Sequence, residues 1–261
     1  VSTQNIINSI NSLLSNGVKE IVLTGVDLTS WGNDIFGKPS LGLLVKKILK
    51  NIPDLPRLRL SSIDPAEVDS ELMNAFETEE RLMPHLHLSI QHGDDLILKR
   101  MKRRHLKRDV INFVNEARRR RNDIVFGADF ISGFPTENEN AHNKSIELIK
   151  EANITYVHVF PYSHRNGTAA SKMPKVLNAD IKKRAKDLRK LSEAQNKKFL
   201  LSQVGTIQSV LVEKNSIGHT PYFSKIKLNE DVKANEIIPT HIVDTNSEGL
   251  IGSVYQDHLK K

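Results

Sequence analysis

The chain has 261 residues, a net charge of +7 and no cysteine. That length suits one large domain, or one large and one small, with a core of its own. Without thiols there are no disulfides and no thiolate metal ligands; no apolar run is long enough to span a membrane, and the N-terminus lacks the basic and apolar parts of a signal peptide, so a cytoplasmic protein without a membrane partner is expected.

Up to about residue 202 the sequence alternates helix and strand signals. Ser2 or Thr3 can cap a helix carrying Ile6, Ile7, Ile10, Leu13 and Leu14, stopped by Gly17. Strand IVLTG follows, then a polar loop through Asp27, Trp31 and Gly37, where Trp31 reads as loop packing. A helix over 41–51 ends before Pro53. Strand RLRLSS leads to a helix over 67–76, and strand HLHLSI to helices over 94–101 and 107–121. Strand IVFGADFI leads to a helix over 139–152, and strand YVHVF to the turn-rich loop YSHRNGTAAS. A long helix over 179–201 closes the series. Five strands separated by helices predict a parallel α/β sheet or partial barrel. The series opens on a helix, although a βα unit opens on a strand. The expectation is therefore a fragment lacking a first strand and its loop.

After Gly205 the texture changes. TIQSVLVE, HTPYFSKIKL, NEIIPTHIVD and EGLIGSVY are short alternating segments separated by turn residues. They predict a small all-β barrel over 203–257, after an α/β domain over 1–202. The tail DHLKK is expected to fray.

Eleven basic residues crowd the segment from Lys99 to Arg121, with Asp109 and Glu116 as its only acids. A concentrated patch points to a polyanionic partner; a solvated helix face is the plainer alternative. His85 and His87 fall on one face of a strand, but no third ligand pairs clearly with them. Barrel packing is the expected role, with no metal site.

In α/β barrels the chemistry sits at the C-terminal ends of the strands. Those ends read Thr24-Gly25-Val26-Asp27, Ser61-Ser62-Ile63-Asp64, Gln91-His92-Gly93-Asp94, Ser132-Gly133-Phe134-Pro135 and Pro161-Tyr162-Ser163. All five are polar or glycine-bearing, as a ring around a polar ligand would be. Asp27 as a loop-holding residue and Gly133-Phe134-Pro135 as a plain tight turn remain open.

RLMPHLHLSIQHGDDLILKRMKRRH, FGADFISGFPTEN and HVFPYSHRNGTAASKMP resemble the radical S-adenosylmethionine (SAM) tRNA methylthiotransferases, most closely the branch acting on N6-threonylcarbamoyladenosine beside the anticodon. The likeness extends to GVDLTSWG and to the C-terminal region, which is similar to a TRAM module. It implies an α/β fold: a partial parallel (β/α) barrel of radical SAM type, then a small TRAM, OB-like barrel. It implies SAM contacts from Gly25, Asp27, Gln91, Arg103, Ile131 and Gly133, with Tyr162 and Ser163 near the adenine or the substrate base. It implies RNA contacts from Arg104, Lys107, Arg108, Arg118, Arg119, Arg120 and Arg121. The intact family enzyme uses SAM and two [4Fe–4S] clusters, an electron donor, and the tRNA anticodon stem-loop as substrate. It cleaves SAM reductively and places a methylthio group on C2 of the modified adenine.

The family holds its clusters with cysteines that precede the segment matched here, so this chain alone is expected to be inactive and to bind neither cofactor tightly. A cysteine-free tRNA-binding protein derived from the family is the alternative. A metabolic barrel enzyme with YSHRNGTAAS as its phosphate loop is a third.

Overall fold

A computed structural model describes residues 1–256, so the tail DHLKK lies outside the described residues. The first part runs α1 (Thr3–Ser15), β1 (Glu20–Leu23), α2 (Leu41–Asn51), β2 (Arg57–Leu60), β3 (Ser62–Ile63), α3 (Ser70–Thr78), β4 (His85–Gln91), α4 (Asp95–Arg100), α5 (Lys107–Arg120), β5 (Val125–Ser132), α6 (Glu139–Glu151), β6 (Tyr156–Pro161) and α7 (Asn178–Gln203). Every strand pairing in this part is parallel. β1 pairs with β2, and β3, β4, β5 and β6 follow one another in a second sheet. Helices between parallel neighbours make this the expected partial barrel.

The sequence predicts five strands here, and the structure has six. RLRLSS breaks at Ser61, whose N–H turns to the Leu23 carbonyl at 2.9 Å, while Ser62 and Ile63 pair with His87 and Leu88 of β4. The helix expected over 67–76 starts at Ser70, because the Asp69 side chain accepts from Leu72 N–H and sets the cap there.

The core lies between the strands and the helices. Val45 and Ile48 of α2, Leu58 of β2, Leu86 and Leu88 of β4, Phe126 and Phe130 of β5 and Leu148 of α6 are all buried in it. Removing the Phe126 ring is expected to cost about 3–5 kcal/mol.

The second part is a closed five-stranded barrel of β7 (Ile207–Val212), β8 (Ile217–His219), β9 (Lys225–Leu228), β10 (Ile237–Asn246) and β11 (Gly249–Val254), in the spatial order β10-β11-β9-β8-β7. HTPYFSKIKL, one segment in the sequence analysis, forms two strands. It turns between Thr220 and Ser224, with Phe223 at φ +66°.

This barrel docks on the N-terminal ends of the α/β strands. The buried Arg57 donates to the Ser209 carbonyl at 2.6 Å, and Arg59 to the Pro221 carbonyl at 3.1 Å. Glu20 accepts from Arg59 Nε at 3.0 Å and lies 3.7 Å from Arg57. Tyr156 sits 2.8 Å from the Ser224 hydroxyl. The C-terminal strand ends are thereby left clear at the opposite mouth.

Candidate functional site

Two clefts meet at that mouth. The first, of about 440 Å³, is lined by Gly25 and Asp27 after β1, Ser62 of β3 and Asp64 just after it, Ser89 of β4, and Lys102, Arg103 and Arg104 before α5. The second, of about 500 Å³, is lined by Gln91, Arg100, Lys102, Arg103, Ile131 and Phe134, with Ala169 and Ala170 beyond β6. Lys102 and Arg103 wall both. The structure thus brings together Gly25, Asp27 and Arg103 in one cleft, and Gln91, Arg103 and Ile131 in the other.

The first cleft has mixed charge. The Asp27 carboxyl lies below its usual range, chiefly through the Ser30 hydroxyl bond of 2.7 Å, with Thr29 adding another at 3.1 Å. Asp27 therefore holds its own loop, and its carboxylate stays ionised at the rim. Burial pushes Asp64 up, but His105 beside it, the Ala66 N–H and Arg103 outweigh that and hold it low. Arg103 Nη1 is 3.7 Å from Asp64, and Arg104 pairs with Glu67. Carboxylates facing guanidinium groups across one cleft suit a zwitterion such as an amino-acid head group.

The second cleft is shaped by backbone. β4 carries one residue more than β5 between the Leu88–Ala128 and Gln91–Phe130 pairs, and Gln91 takes φ +70° there. That bulge re-aims the Gln91 amide, a strained device typical of sites. Ile131, Met101, Ala170 and Tyr162 pack around Ile97 and Phe134 as an apolar wall, with the Phe134 and Tyr162 rings 5.5 Å apart. The Tyr162 hydroxyl is buried with no partner among the described residues. A buried, unpaired O–H costs stability unless a ligand meets it. Ser163 is exposed beyond it.

Gly133 turns at φ +75°, and a Cβ there would sit 2.4 Å from the Ile181 side chain. Its N–H donates to Glu137 at 2.8 Å. Glu137 is buried, and it also accepts from His92 Nε2 at 3.1 Å and Arg184 Nη1 at 3.1 Å. Because His92 Nδ1 accepts from Asp94 N–H at 2.9 Å, the ring proton lies on Nε2. Glu137, His92 and Arg184 hold the turn; sequence reasoning named His92 only as part of a polar strand end and gave none of the three this role. Its one signal is that Glu137 stands four residues after Gly133.

The basic segment divides. α5 is 14 residues long, so its ends are roughly 20 Å apart. Lys102, Arg103 and Arg104 line the cleft, and Lys107 and Arg108 follow them into the first turn of α5. Arg108 is 80% exposed, and Lys107 pairs with Glu151 at 3.0 Å. At the far end Arg118 donates to the Ala152 and Asn153 carbonyls and lies over Phe126. Arg121 donates to the Leu82 carbonyl at 2.7 Å and pairs with Asp123. Arg119 and Arg120 share Glu116. The segment is not one patch: its last turn is largely taken up by the chain's own acceptors.

His85 and His87 share a face, as the strand pattern implies. The structure adds what the sequence analysis left out: Asp129 of β5 and His158 of β6 lie beside His87.

The residues that the resemblance assigns to SAM offer what an adenosyl amino acid would need: a zwitterion-compatible cleft, a re-aimed amide, an apolar wall and a buried hydroxyl without a partner among the described residues. No thiolate is present to hold a [4Fe–4S] cluster, so these residues do not fit that group.

Residues 1–149 match the radical SAM superfamily. The chain is 44% identical over 91% of its length to "Threonylcarbamoyladenosine tRNA methylthiotransferase MtaB" of Rickettsia prowazekii, covering 56% of that protein. It is 33% identical over 97% of its length to "tRNA-2-methylthio-N(6)-dimethylallyladenosine synthase" of Bartonella henselae, covering 57% of it. The chain therefore spans a little over half the length of the curated relatives it matches. The radical S-adenosylmethionine methyltransferase TsrM of Kitasatospora setae shares the fold at 16% identity, with a TM-score of 0.50 over 61% of this chain and 31% of that one. With more than half of its residues in that match, the chain belongs to the radical SAM superfamily, and it is similar along nearly all of its length to part of those two tRNA-modifying relatives.

Proposed function

We propose that the two clefts bind SAM and that the chain serves the methylthiolation of N6-threonylcarbamoyladenosine in tRNA, at C2 of the adenine beside the anticodon. The kinship at 44% identity carries the choice of base over the dimethylallyl-type substrate, for which the similarity is 33%. SAM supplies the methyl group when bound. In this reading Arg103 grips its carboxylate, Asp27 faces its ammonium, and Gln91 reaches the ribose. The adenine lies on the Ile131–Gly133 turn, with the Tyr162 hydroxyl and Ser163 at its edge. These residues bind and orient; no step through a cluster follows from this chain's own donors. The tRNA stem-loop and an electron donor are the proposed partners.

The test is mass spectrometry of tRNA nucleosides from cells with and without the gene. Loss of the 2-methylthio group from N6-threonylcarbamoyladenosine, with other methylthio adenosines unchanged, is expected. An unchanged nucleoside profile refutes the proposal. A second reading, a tRNA-binding protein without catalysis, rests on the absence of cysteine from the 261 residues. It predicts tRNA binding together with that unchanged profile.

A further inference from the structure

Below the two clefts the strands line an open cavity of about 440 Å³, with Phe223 at its N-terminal end and walls made by residues to which the proposed function gives no part. His87, Asp129 and His158 enter it from three neighbouring strands. The register explains why. Asp129 pairs with His158, and Gly127, two residues earlier on the same face, pairs with His87.

The donor atoms are spaced as metal ligands are. His87 Nε2 is 2.9 Å from Asp129 Oδ1, and His158 Nδ1 is 3.5 Å from the same oxygen. At metal–ligand bonds of about 2.1 Å, ligands at right angles stand about 3.0 Å apart and tetrahedral ones about 3.4 Å. All three donor atoms lie within 4.8 Å of one another. The His158 ring, which stands at the widest of these spacings, is 63% exposed.

Two independent features mark the place as built. A Cβ on Gly127 would lie 2.6 Å from His87 Nδ1 and 3.5 Å from His85 Nε2, so glycine leaves the room in which the imidazoles stand. His85 lines the same cavity, is 94% buried, and its Nδ1 has no partner among the described residues. The nearby Arg59 guanidinium is held by Glu20 with two bonds of 3.0 Å, which offsets part of its charge.

We propose that His87, Asp129 and His158 form a mononuclear site for a first-row divalent metal, zinc(II) or iron(II), inside the α/β barrel. Two imidazoles and one carboxylate on one side of an ion are a set such metals take, with the remaining positions open to oxygen ligands from the cavity. The site is separate from the SAM clefts and does not depend on how they are used.

The experiment is a cobalt(II) titration of the untagged, chelator-treated chain, followed by its visible absorption, with zinc(II) as competitor. One metal per chain is expected, with zinc displacing cobalt. Asp129→Asn and His158→Ala should each weaken binding by more than the roughly 10- to 100-fold that loss of an outer partner costs. His158 is on the surface, so its substitution leaves the fold intact. Gly127→Ala, which crowds His87, should weaken binding as well. Absence of stoichiometric binding overturns the proposal. So does binding that either His158→Ala or Asp129→Asn leaves unchanged, which would make these residues a hydrogen-bonded cluster only.

Discussion

The Phe223 ring stacks on the His85 ring, with centroids 5.5 Å apart and planes 27° from parallel. One residue belongs to the small barrel and the other to the base of β4. Arg59 stands 4.9 Å over the same Phe223 ring, and His219 stacks on it at 5.1 Å. The small barrel is thus keyed into the α/β barrel by a cation, an aromatic ring and two imidazoles.

Phe223→Ala is expected to loosen that joint. The ring is half exposed, so its stacking and cation–π contacts are worth about 1 kcal/mol together. Arg57→Ala should cost more, about 3 kcal/mol, because it leaves Glu20 short of a buried partner and strips the Ser209 carbonyl. Calorimetry checks both: the parent should unfold in one transition and Arg57→Ala in two. A single unshifted transition in Arg57→Ala would show that the joint does not couple the barrels.

The Gly133 turn should be acid-sensitive through Glu137. Burial pushes the Glu137 carboxyl up, but the His92 hydrogen bond, the Gly133 N–H and Arg184 more than offset it, so it lies below its ordinary value of 4.5. A depressed folded-state value means that its stabilisation is complete above pH 4.5 and is lost as pH falls through the folded value. Glu137→Gln removes that dependence. Melting temperature against pH should therefore fall more steeply below 4.5 in the parent than in Glu137→Gln. Parallel curves would remove Glu137 from the account.

What the sequence made legible was local. α2 is bounded by Ser40 and Pro53, both readable in the chain, and its predicted limits match the structure. The five polar strand ends needed only the alternation of helix and strand. The missed features are long-range. Glu137 meets His92 across 45 positions and Arg184 across 47, and no spacing within one segment announces such a hub. Asp129 and His158 join His87 only through strand register. A run of arginines gives charge but not direction, and Arg118 and Arg121 find carbonyls 34 and 39 residues away.

The 261-residue chain, reconstituted anaerobically with iron and sulfide, should retain no acid-labile sulfide, because it carries no thiolate. SAM should bind weakly, through hydrogen bonds and stacking alone. Arg103→Ala removes a charge-assisted contact worth about 1.5–3 kcal/mol, which is roughly 10- to 100-fold in affinity. Isothermal titration calorimetry decides: tight binding that Arg103→Ala leaves unchanged would contradict the assignment of Arg103.

RNA binding tests the divided basic segment. If all seven basic residues faced RNA, replacing Arg118, Arg119, Arg120 and Arg121 with Gln would flatten the log–log salt dependence of tRNA affinity by about 0.7–0.9 for each phosphate no longer neutralised. The structure leads to a different expectation. Arg118 and Arg121 close the chain's own carbonyls, and Arg120 bridges Glu116 and Glu77. Only Arg119 stands out, 69% exposed beside Glu116. The quadruple substitution should therefore lower the melting temperature by several degrees, for a loss of about 2 kcal/mol. Its salt slope should flatten by about the share of one phosphate. Substituting Lys102, which lines both clefts, and Arg108 in the first turn of α5, both exposed, should do the reverse: a slope flattened by about the share of two phosphates, with little change in melting. Filter binding at two salt concentrations, paired with thermal unfolding, separates the cases. A quadruple variant that melts like the parent, yet whose slope flattens by about the share of three phosphates or more, would mean that the last turn of α5 faces RNA after all.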